Sequence, residues 1–493
     1  MKVTLIAPPL MDYVDGVLSP IAMDAVRACP PYGVFLLAQV LQQDGHEVTI
    51  IDLIAQGSKD LDIHWQHIAS SHLVGISTTT LSWPTARQCI SDVRKYRPDV
   101  PIVLGGIHAT MFDKYLLATT QANYCIRGEG ENALRILART LQTGGDLSHV
   151  PNLTAKLANG HILRTHMAEK MSGEAMGQLP FPDYSGLPDG VYNGLGIESS
   201  RGCLFDCLFC STSYRKSWRS IAPEIFVDRL EYMMPYLSKT RTGTLQIIDD
   251  EFSIKTDRAI AICEEIARRN LSPRLIFDSR ANDLLNEAYV EAIMPYAFQF
   301  LIGAECGYDK GLSKVGKGTT IKKLEQAAAV LNKYGLAERA DFSFIIGLPW
   351  ETKKEVMETV NFACNLYAKY GVRVMLQWFC QIPGSRLWDE RRKQGVVHEA
   401  HYDDFGFFKN LYLFRTGVNL TPDEIYEVSD MVSPVVAMSS IHKQEKRMVE
   451  YAFPEPISMF YPRMPGEIEE DLGLASLREV AGVAKPEKLE KSA

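Results

Sequence analysis

The stretch LGIESSRGCLFDCLFCST, residues 195–212, joins a short apolar strand to three closely spaced cysteines. Cys203, Cys207 and Cys210 follow the pattern C-x₃-C-x₂-C, and they are three of the ten cysteines in the 493-residue chain. The other seven lie singly among apolar neighbours, as reduced and buried thiols do. Functional groups collect on the loops that follow the strands of a parallel barrel. The stretch therefore predicts a metal or redox site at a strand end.

The cysteine spacing distinguishes between kinds of metal site. Three thiolates can hold three irons of a four-iron cubane and leave the fourth iron open to a ligand. A structural zinc site normally has four protein ligands, and no second C-x₂-C or H-x₃-H pair lies nearby. The spacing favours an iron–sulfur cluster over a structural zinc site or three unrelated core cysteines.

Apolar strands alternate with amphipathic helical patterns from residue 195 to about residue 380. Helical patterns cover 256–269, 320–334 and 351–369. Six strand–helix units in succession predict a partial version of the eight-unit barrel. The predicted strands are 195–199, 244–249, 274–278, 298–305, 341–347 and 372–379.

The N-terminal part shows a similar alternation with a different organisation. Helical patterns cover 33–45, about 84–97 and 131–143. Several of its strands are apolar on both faces, which is typical of a parallel sheet covered by helices on both sides. A doubly wound sheet of this kind binds ligands at the carboxyl ends of its strands. The predicted strands are 3–7, 47–52, 73–77, 102–106 and 123–127.

These patterns predict an α/β protein in four parts. A doubly wound, Rossmann-like domain covers residues 1–145, and a turn-rich linker with recurring Gly and Pro covers 146–195. The partial (β/α)₆ barrel covers 196–390. A mostly helical region at 391–493 includes an aromatic-rich stretch and a disordered tail from Gly482.

Composition excludes several function classes. The formal net charge is −8 and the pI is about 5.8, without a block of Lys and Arg, so nucleic acid is not expected as a partner. The N-terminal apolar run is cut by Pro8 and Pro9, and no apolar stretch reaches the length of a membrane helix. We expect a cytoplasmic protein.

The cysteine motif after the first strand of a partial barrel resembles that of the radical S-adenosylmethionine superfamily. The resemblance implies a [4Fe–4S] cluster held by Cys203, Cys207 and Cys210. It also implies that the amine and carboxylate of S-adenosylmethionine (SAM) chelate the fourth iron, and that reductive cleavage yields a 5′-deoxyadenosyl radical.

Four later strand ends also resemble motifs of this family: DDEF (249–252), DSRAN (278–282), GAECG (303–307) and FIIGLP (344–349). In the last one, Ser343 stands where the family's G-x-I-x-G pattern begins with Gly. The resemblance implies that SAM is bound by Asp250, Glu251, Arg280, Glu305, Gly347 and Pro349.

The N-terminal segments 30–52, 75–86, 103–110 and 127–134 resemble the class in which a cobalamin-binding domain precedes the radical barrel. The D-x-H-x-x-G motif, whose His replaces the nucleotide base on cobalt in many cobalamin domains, is absent. A domain of this fold without cobalamin remains an alternative. The resemblance implies that cobalamin is bound by Ser77, Thr78, Gly105, Gly106, His108, Gly128 and Glu129.

Three of these polar residues have ordinary structural explanations as well. Glu129 and Glu131 are acidic residues at a helix N-terminus, where the helix dipole favours them. His108 is equally compatible with a structural turn. Cys306 and Cys380 could donate hydrogen to a radical or could be simple buried thiols.

The resemblance implies radical methylation of an unactivated carbon or of phosphorus in a small-molecule substrate, by way of methylcobalamin. It also implies an external electron donor such as flavodoxin or ferredoxin. One alternative is a cyclase, ring-rearranging or carbon–carbon coupling enzyme of the same architecture. A second is a non-catalytic iron–sulfur or cobalamin sensor, and a methylthiotransferase is disfavoured because no second cysteine triad is present.

Overall fold

The first half of the chain forms a mostly parallel sheet. The computed structural model describes residues 1–14, 17–20, 29–404, 418–421, 423–425 and 427–428. The strands of this half are β1 (Lys2–Ala7), β2 (Met11–Val14), β3 (Val17–Pro20), β4 (Glu47–Asp52), β5 (Leu73–Ser77), β6 (Ile102–Gly105), β7 (Tyr124–Ile126), β8 (Leu153–Lys156) and β9 (Ile162–Arg164). The helices are α1 (Tyr32–Gln43), α2 (Leu53–Gln56), α3 (Trp65–Ser70), α4 (Trp83–Tyr96), α5 (Ile107–Thr119), α6 (Glu131–Thr143) and α7 (Gly173–Gly177).

Helices cover both faces of this sheet, whose strand order is β4-β1-β5-β6-β7-β8-β9. Val34 and Leu41 of α1 pack with Leu134 and Leu137 of α6 in the apolar core on one face. The helices α3, α4 and α5 supply the core of the other face. Strands that are apolar on both sides need this double cover, and the doubly wound, Rossmann-like fold is confirmed.

The hairpin β8–β9 corrects the predicted linker. The two strands pair antiparallel with each other, and β8 pairs antiparallel with β7, so the hairpin extends the first sheet. The prediction that 146–195 is all linker is therefore wrong for Leu153–Arg164. Strands of four and three residues are too short for their alternation to stand out in the sequence.

The second half forms a parallel six-stranded sheet in the order β10-β13-β14-β15-β16-β17, which confirms the partial barrel. Each predicted strand matches its observed position to within two residues at either end. The strands are β10 (Gly194–Ile197), β11 (Ser200–Arg201), β12 (Arg219–Ser220), β13 (Thr244–Ile247), β14 (Arg274–Ser279), β15 (Ala297–Glu305), β16 (Ala340–Ile346) and β17 (Arg373–Trp378). The helices are α8 (Pro223–Met233), α9 (Thr256–Arg268), α10 (Glu287–Ile293), α11 (Asp309–Val315), α12 (Ile321–Lys333), α13 (Lys353–Tyr370) and α14 (Arg386–Lys393).

Local signals account for the ends of several helices. α13 begins with a capping box, in which the backbone N–H of Thr352 donates to the carboxylate of Glu355 over 2.9 Å. It ends before Gly371, whose φ of 70° suits a left-handed cap. α6 likewise ends before Gly144, at a φ of 66°. These stops keep each return loop short and the strands in register.

The segment after the barrel returns to the first half of the molecule. One carboxylate oxygen of Asp403 accepts a hydrogen bond of 2.7 Å from Trp83 Nε1, and the other accepts one of 2.5 Å from Tyr115. Arg87 lies 3.3 Å from the same carboxylate. Residues 405–417 of the aromatic-rich stretch and the tail from Gly482 lie outside the described residues. The prediction of a mostly helical C-terminal region is therefore tested only at 391–404 and at the few described residues of 418–428.

Candidate active site

The cysteine loop is anchored at both ends. The short antiparallel pair β11–β12 closes it, with Ser200 opposite Ser220 and Arg201 opposite Arg219. Inside the loop, the backbone N–H of Cys203 donates to Tyr214 O over 3.2 Å, and that of Cys210 donates to Cys207 O over 3.1 Å. The three cysteines therefore sit on one compact loop at the carboxyl end of β10.

The three thiols of this loop are free and lie close together. Burial, together with the neighbouring Glu251, Cys210 and Asp250, raises the pKa of Cys203 to about 11. Burial also raises the pKa of Cys210, with Cys207 contributing. Among the described residues, no three His, Cys, Asp or Glu side chains converge closely enough to hold a single metal ion. The three thiols therefore share one loop but do not converge on a single point.

Charged side chains from three other strand ends lie near this loop. Glu251 follows β13 and accepts hydrogen bonds from the backbone and hydroxyl of Ser253, over 3.1 and 2.7 Å. Arg280 follows β14, donates to the carbonyl of Lys317, and places its guanidinium carbon 3.6 Å from the ring centre of Phe205. Because Phe205 lies between Cys203 and Cys207, Arg280 is held against the cysteine loop.

Glu305, at the end of β15, is paired with a lysine that sequence analysis did not single out. Lys317 Nζ donates to Glu305 Oε1 over 2.7 Å, and both side chains are buried. Burial lowers the pKa of Lys317, but the neighbouring Glu305, with a smaller contribution from Cys207, raises it above its ordinary value. A Cβ on Gly303 would lie 2.4 Å from Lys317 Nζ. No motif marks Lys317 in the sequence, because its partners come from a different strand and loop.

The end of β16 depends on a close backbone approach. Gly347 has a φ of 77°, and a Cβ there would come within 2.7 Å of the Trp378 ring. Ser343, the departure from the family pattern, lies opposite Gly303 on β15 and Met375 on β17. A glycine, Gly303, therefore lies on the neighbouring strand beside the position where the family pattern has its first glycine.

A cavity of about 370 Å³ lies between the edge of the first sheet and the cysteine loop. Open space lies above the backbone of Gly33 and Gly105, where a Cβ would meet no atom within 4 Å. From the first half, the cavity is lined by the predicted Ser77, Gly105, Gly106, Gly128 and Glu129. From the barrel half, it is lined by Glu198, Ser200, Arg201, Gly202, Tyr214 and Asp250.

Thr78 and His108, also predicted for this site, do not line the cavity. The Thr78 hydroxyl donates to Gly105 O over 2.8 Å and accepts from Ala109 N over 3.0 Å, so it supports the turn from below. His108 is fully buried, with its ring 5.0 Å from that of Trp83 and 4.9 Å from that of Phe112. Burial lowers its pKa to about 3, so the imidazole is neutral.

A buried charge network crosses from the first half to the barrel beside the cavity. Arg201 donates to Glu198 and to Glu131 over 2.6 Å each, and lies 3.6 Å from Glu129. Arg219 donates to Glu129 over 2.5 Å. Asp250 Oδ2, on the barrel side of the cavity, accepts the backbone N–H of Gly202 over 2.9 Å. The residues just before Cys203 are thereby fixed to both halves.

Two family models match the chain in the order that the fold suggests. Residues 19–138 match the B12 binding domain, and residues 197–363 match the radical SAM superfamily. The chain belongs to the cobalamin-dependent radical SAM enzymes. Membership in this enzyme family disfavours the sensor alternative. Its cofactors are cobalamin, a [4Fe–4S] cluster and SAM.

Similar proteins support this assignment. An uncharacterized methyltransferase of Pyrococcus horikoshii is 29% identical over 79% of this chain and 83% of the relative. The anaerobic magnesium-protoporphyrin IX monomethyl ester cyclase of Rubrivivax gelatinosus is 25% identical over 68% of this chain and 62% of its own. The radical SAM methyltransferase TsrM of Kitasatospora setae, solved with cobalamin and a [4Fe–4S] cluster, has a TM-score of 0.64 at 19% identity, covering 80% and 78% of the two chains.

The residues of this radical SAM enzyme fit all three cofactors. Three free thiols on one loop match a cubane with one open iron. The glycine-lined cavity gives a flat macrocycle room close to the backbone of Gly105 and Gly106. The carboxylates and cations at the strand ends suit a ligand that carries both an amine and a carboxylate. None of the described helices is both long and apolar enough to cross a membrane.

Proposed function

We propose that this enzyme transfers a methyl group, by way of cobalamin, to an unactivated carbon or phosphorus of a small-molecule substrate. The observation that carries the proposal is the shared cavity: Gly105 and Gly106 face it from one side, and Arg201 and Gly202, immediately before Cys203, face it from the other. When bound there, cobalamin would supply the methyl group, while SAM at the cluster would supply the radical.

The residues of the barrel would orient SAM and limit access of water. Cys203, Cys207 and Cys210 would hold the cluster, and Arg280 would pair with the carboxylate of SAM. Glu251 and Glu305 would accept hydrogen bonds from its amine or ribose. Gly347 and Pro349 would let the adenine approach the backbone.

On the cobalamin side, Ser77, Gly105, Gly106, Gly128 and Glu129 would contact the corrin or its side chains. Thr78 and His108 would act only as supports of the turn beneath it. We also propose that the chain divides into domains at residues 195 and 390, and we count the hairpin β8–β9 in the cobalamin-binding domain rather than in the linker.

Cyclisation or rearrangement is the second candidate function, because the Rubrivivax relative is named a cyclase. The Pyrococcus relative, which is covered over more of its length, is named a methyltransferase and favours methyl transfer. An external flavodoxin or ferredoxin would supply the electron, and the enzyme would work in the cytoplasm.

Isotope labelling distinguishes the two candidates. Anaerobic enzyme loaded with cluster and cobalamin is incubated with a low-potential reductant and SAM labelled with deuterium in its methyl group. Methyl transfer requires S-adenosylhomocysteine and label in the cobalamin fraction, in addition to 5′-deoxyadenosine. Formation of 5′-deoxyadenosine alone would instead support a cyclase.

A further inference from the structure

The lumen of the barrel contains one carboxylate that differs from its neighbours. β14 lies between β13 and β15, and its residues Leu275 and Phe277 pack in the apolar core beneath the helices. Side chains alternate along a strand, so the residue that follows Phe277 faces the lumen. That residue is Asp278, and it lies opposite Leu301 of β15.

Asp278 is accessible although its strand is central. Its neighbours Phe277 and Ser279 are each 1% exposed, whereas the side chain of Asp278 is exposed. A side chain on a central strand covered by helices can be reached only through the lumen. Within the described ranges, the carboxylate of Asp278 forms no hydrogen bond or ion pair with another side chain or backbone group.

The other charged groups near Asp278 already have partners. Asp249 accepts hydrogen bonds from Ser199 and Ser200, over 2.5 and 2.6 Å. Lys317 is paired with Glu305. Lower in the lumen, Arg373 donates to Asp341 over 2.7 Å. Lys317 and Arg373 are therefore already paired with carboxylates, so an anionic ligand would gain little by binding to them.

The surroundings of Asp278 disfavour an ionised carboxylate that has no partner. Solvent reaches the Asp278 side chain through the lumen, but the surrounding protein still removes much of its hydration, and this desolvation raises its pKa to about 7. Glu251, Asp249 and Asp250 also raise this pKa, and Lys317 lowers it. A buried charge without a partner is normally neutralised or paired. Perturbed carboxyls that open into a cleft are candidates for functional sites. A cation entering the lumen would supply the partner that the protein does not.

We propose that Asp278 binds a protonated nitrogen of the substrate, so that the substrate class is an amine or another nitrogen cation. This inference rests on the proposed function, because it takes the lumen below the cluster as the substrate site. It disfavours a lipid-like or anionic substrate. The amine of SAM is the rival partner, and binding measurements distinguish the two.

The test uses 2-phenylethylammonium and its neutral analogue 2-phenylethanol as probes of the anaerobic, cluster- and SAM-loaded enzyme. Saturation-transfer NMR at pH 8 gives the dissociation constant of each probe. We expect Asp278→Asn to weaken binding of the ammonium probe at least tenfold and to leave 2-phenylethanol unchanged. The exposed Asp257→Asn, which removes the same charge from the start of α9, should leave both unchanged.

Two results would overturn the proposal. Equal ammonium affinity in the wild type and Asp278→Asn would show that the carboxylate binds no cation. A tenfold or larger loss of SAM affinity, measured by equilibrium dialysis, would assign Asp278 to SAM instead. Because probe binding requires no methyl transfer, failure of this proposal is distinguishable from failure of the labelling experiment.

Discussion

The two sides of the active site differ in what lines them, which is mostly glycine backbone on one side and charged side chains on the other. On the side of the first sheet, where we propose that cobalamin binds, the cavity is shaped by backbone at Gly105, Gly106 and Gly128, and open space lies above Gly105. At the barrel mouth, charged side chains such as Glu305 and Lys317 fill the space and pair with one another. One side thus recognises its ligand by shape and the other by charge. Added volume should damage the first, and removed charge or thiolate should damage the second.

The largest effect is expected from the cysteine loop. Cys207→Ala should abolish the iron–sulfur cluster and SAM cleavage, because two thiolates cannot hold a cubane in this site. Cobalamin affinity should be unchanged, because Cys207 does not line the cavity. Iron and sulfide analysis, 5′-deoxyadenosine formation and cobalamin binding check this. Cys364→Ala, at a partly exposed cysteine in α13, is the matched control.

The charge network that joins the two sides should rank second. Arg201→Met leaves Glu129, Glu131 and Glu198 buried without their shared cation, and breaking a buried ion pair costs about 3–5 kcal/mol. Urea unfolding should show a loss of this size in the free energy of unfolding. Arg268→Met on the surface should cost less than about 1 kcal/mol. Equal losses in the two variants would contradict the bridging role.

Added volume on the cobalamin side should have a smaller effect. Gly105→Leu fills open space in the cavity without meeting protein atoms at its Cβ, so the protein should fold and exclude the corrin. We expect the dissociation constant of hydroxocobalamin to rise about tenfold or more, which is at least about 1.4 kcal/mol. SAM cleavage without cobalamin should persist. Gly186→Leu, also in open space but outside the cavity, should bind cobalamin normally.

The smallest effect concerns the pH dependence of stability at Asp278. Its pKa of about 7 in the folded protein exceeds the unfolded value of about 4, so the folded state binds the proton more tightly. Stability of the wild type should therefore fall as the pH rises between these values. The melting temperature of Asp278→Asn relative to wild type should be higher at pH 8 than at pH 5. A constant difference would contradict the raised pKa.

The sequence predicted the framework because the framework is encoded locally. The six barrel strands were located to within two residues, since each is an apolar run and all but the last are followed by Gly or charged residues. Cys203, Cys207 and Cys210 were found from spacing alone. These features depend on neighbours along the chain, which a single sequence displays directly.

Long-range pairing was beyond the sequence. Lys317 acquires its role only when β15 and the following loop bring it to Glu305, and Arg201 only when the two halves meet. His108 follows a Gly-Gly turn, as a cofactor contact would, but the turn directs its ring into an aromatic core. Burial and partner identity in such cases depend on tertiary packing.

The hydrogen bonds of Asp403 join the segment that follows the barrel to α4 and α5 of the first half. Together with the Arg201 network, they connect the two halves at two separate points, one near the start of the barrel sequence and one after its end. Rotation of one half relative to the other about the connecting segment would have to break one of these two sets of contacts. Trp388 and Tyr402 pack in an apolar core of the first half. Expressing the two halves separately should therefore expose these side chains and yield a barrel fragment that aggregates.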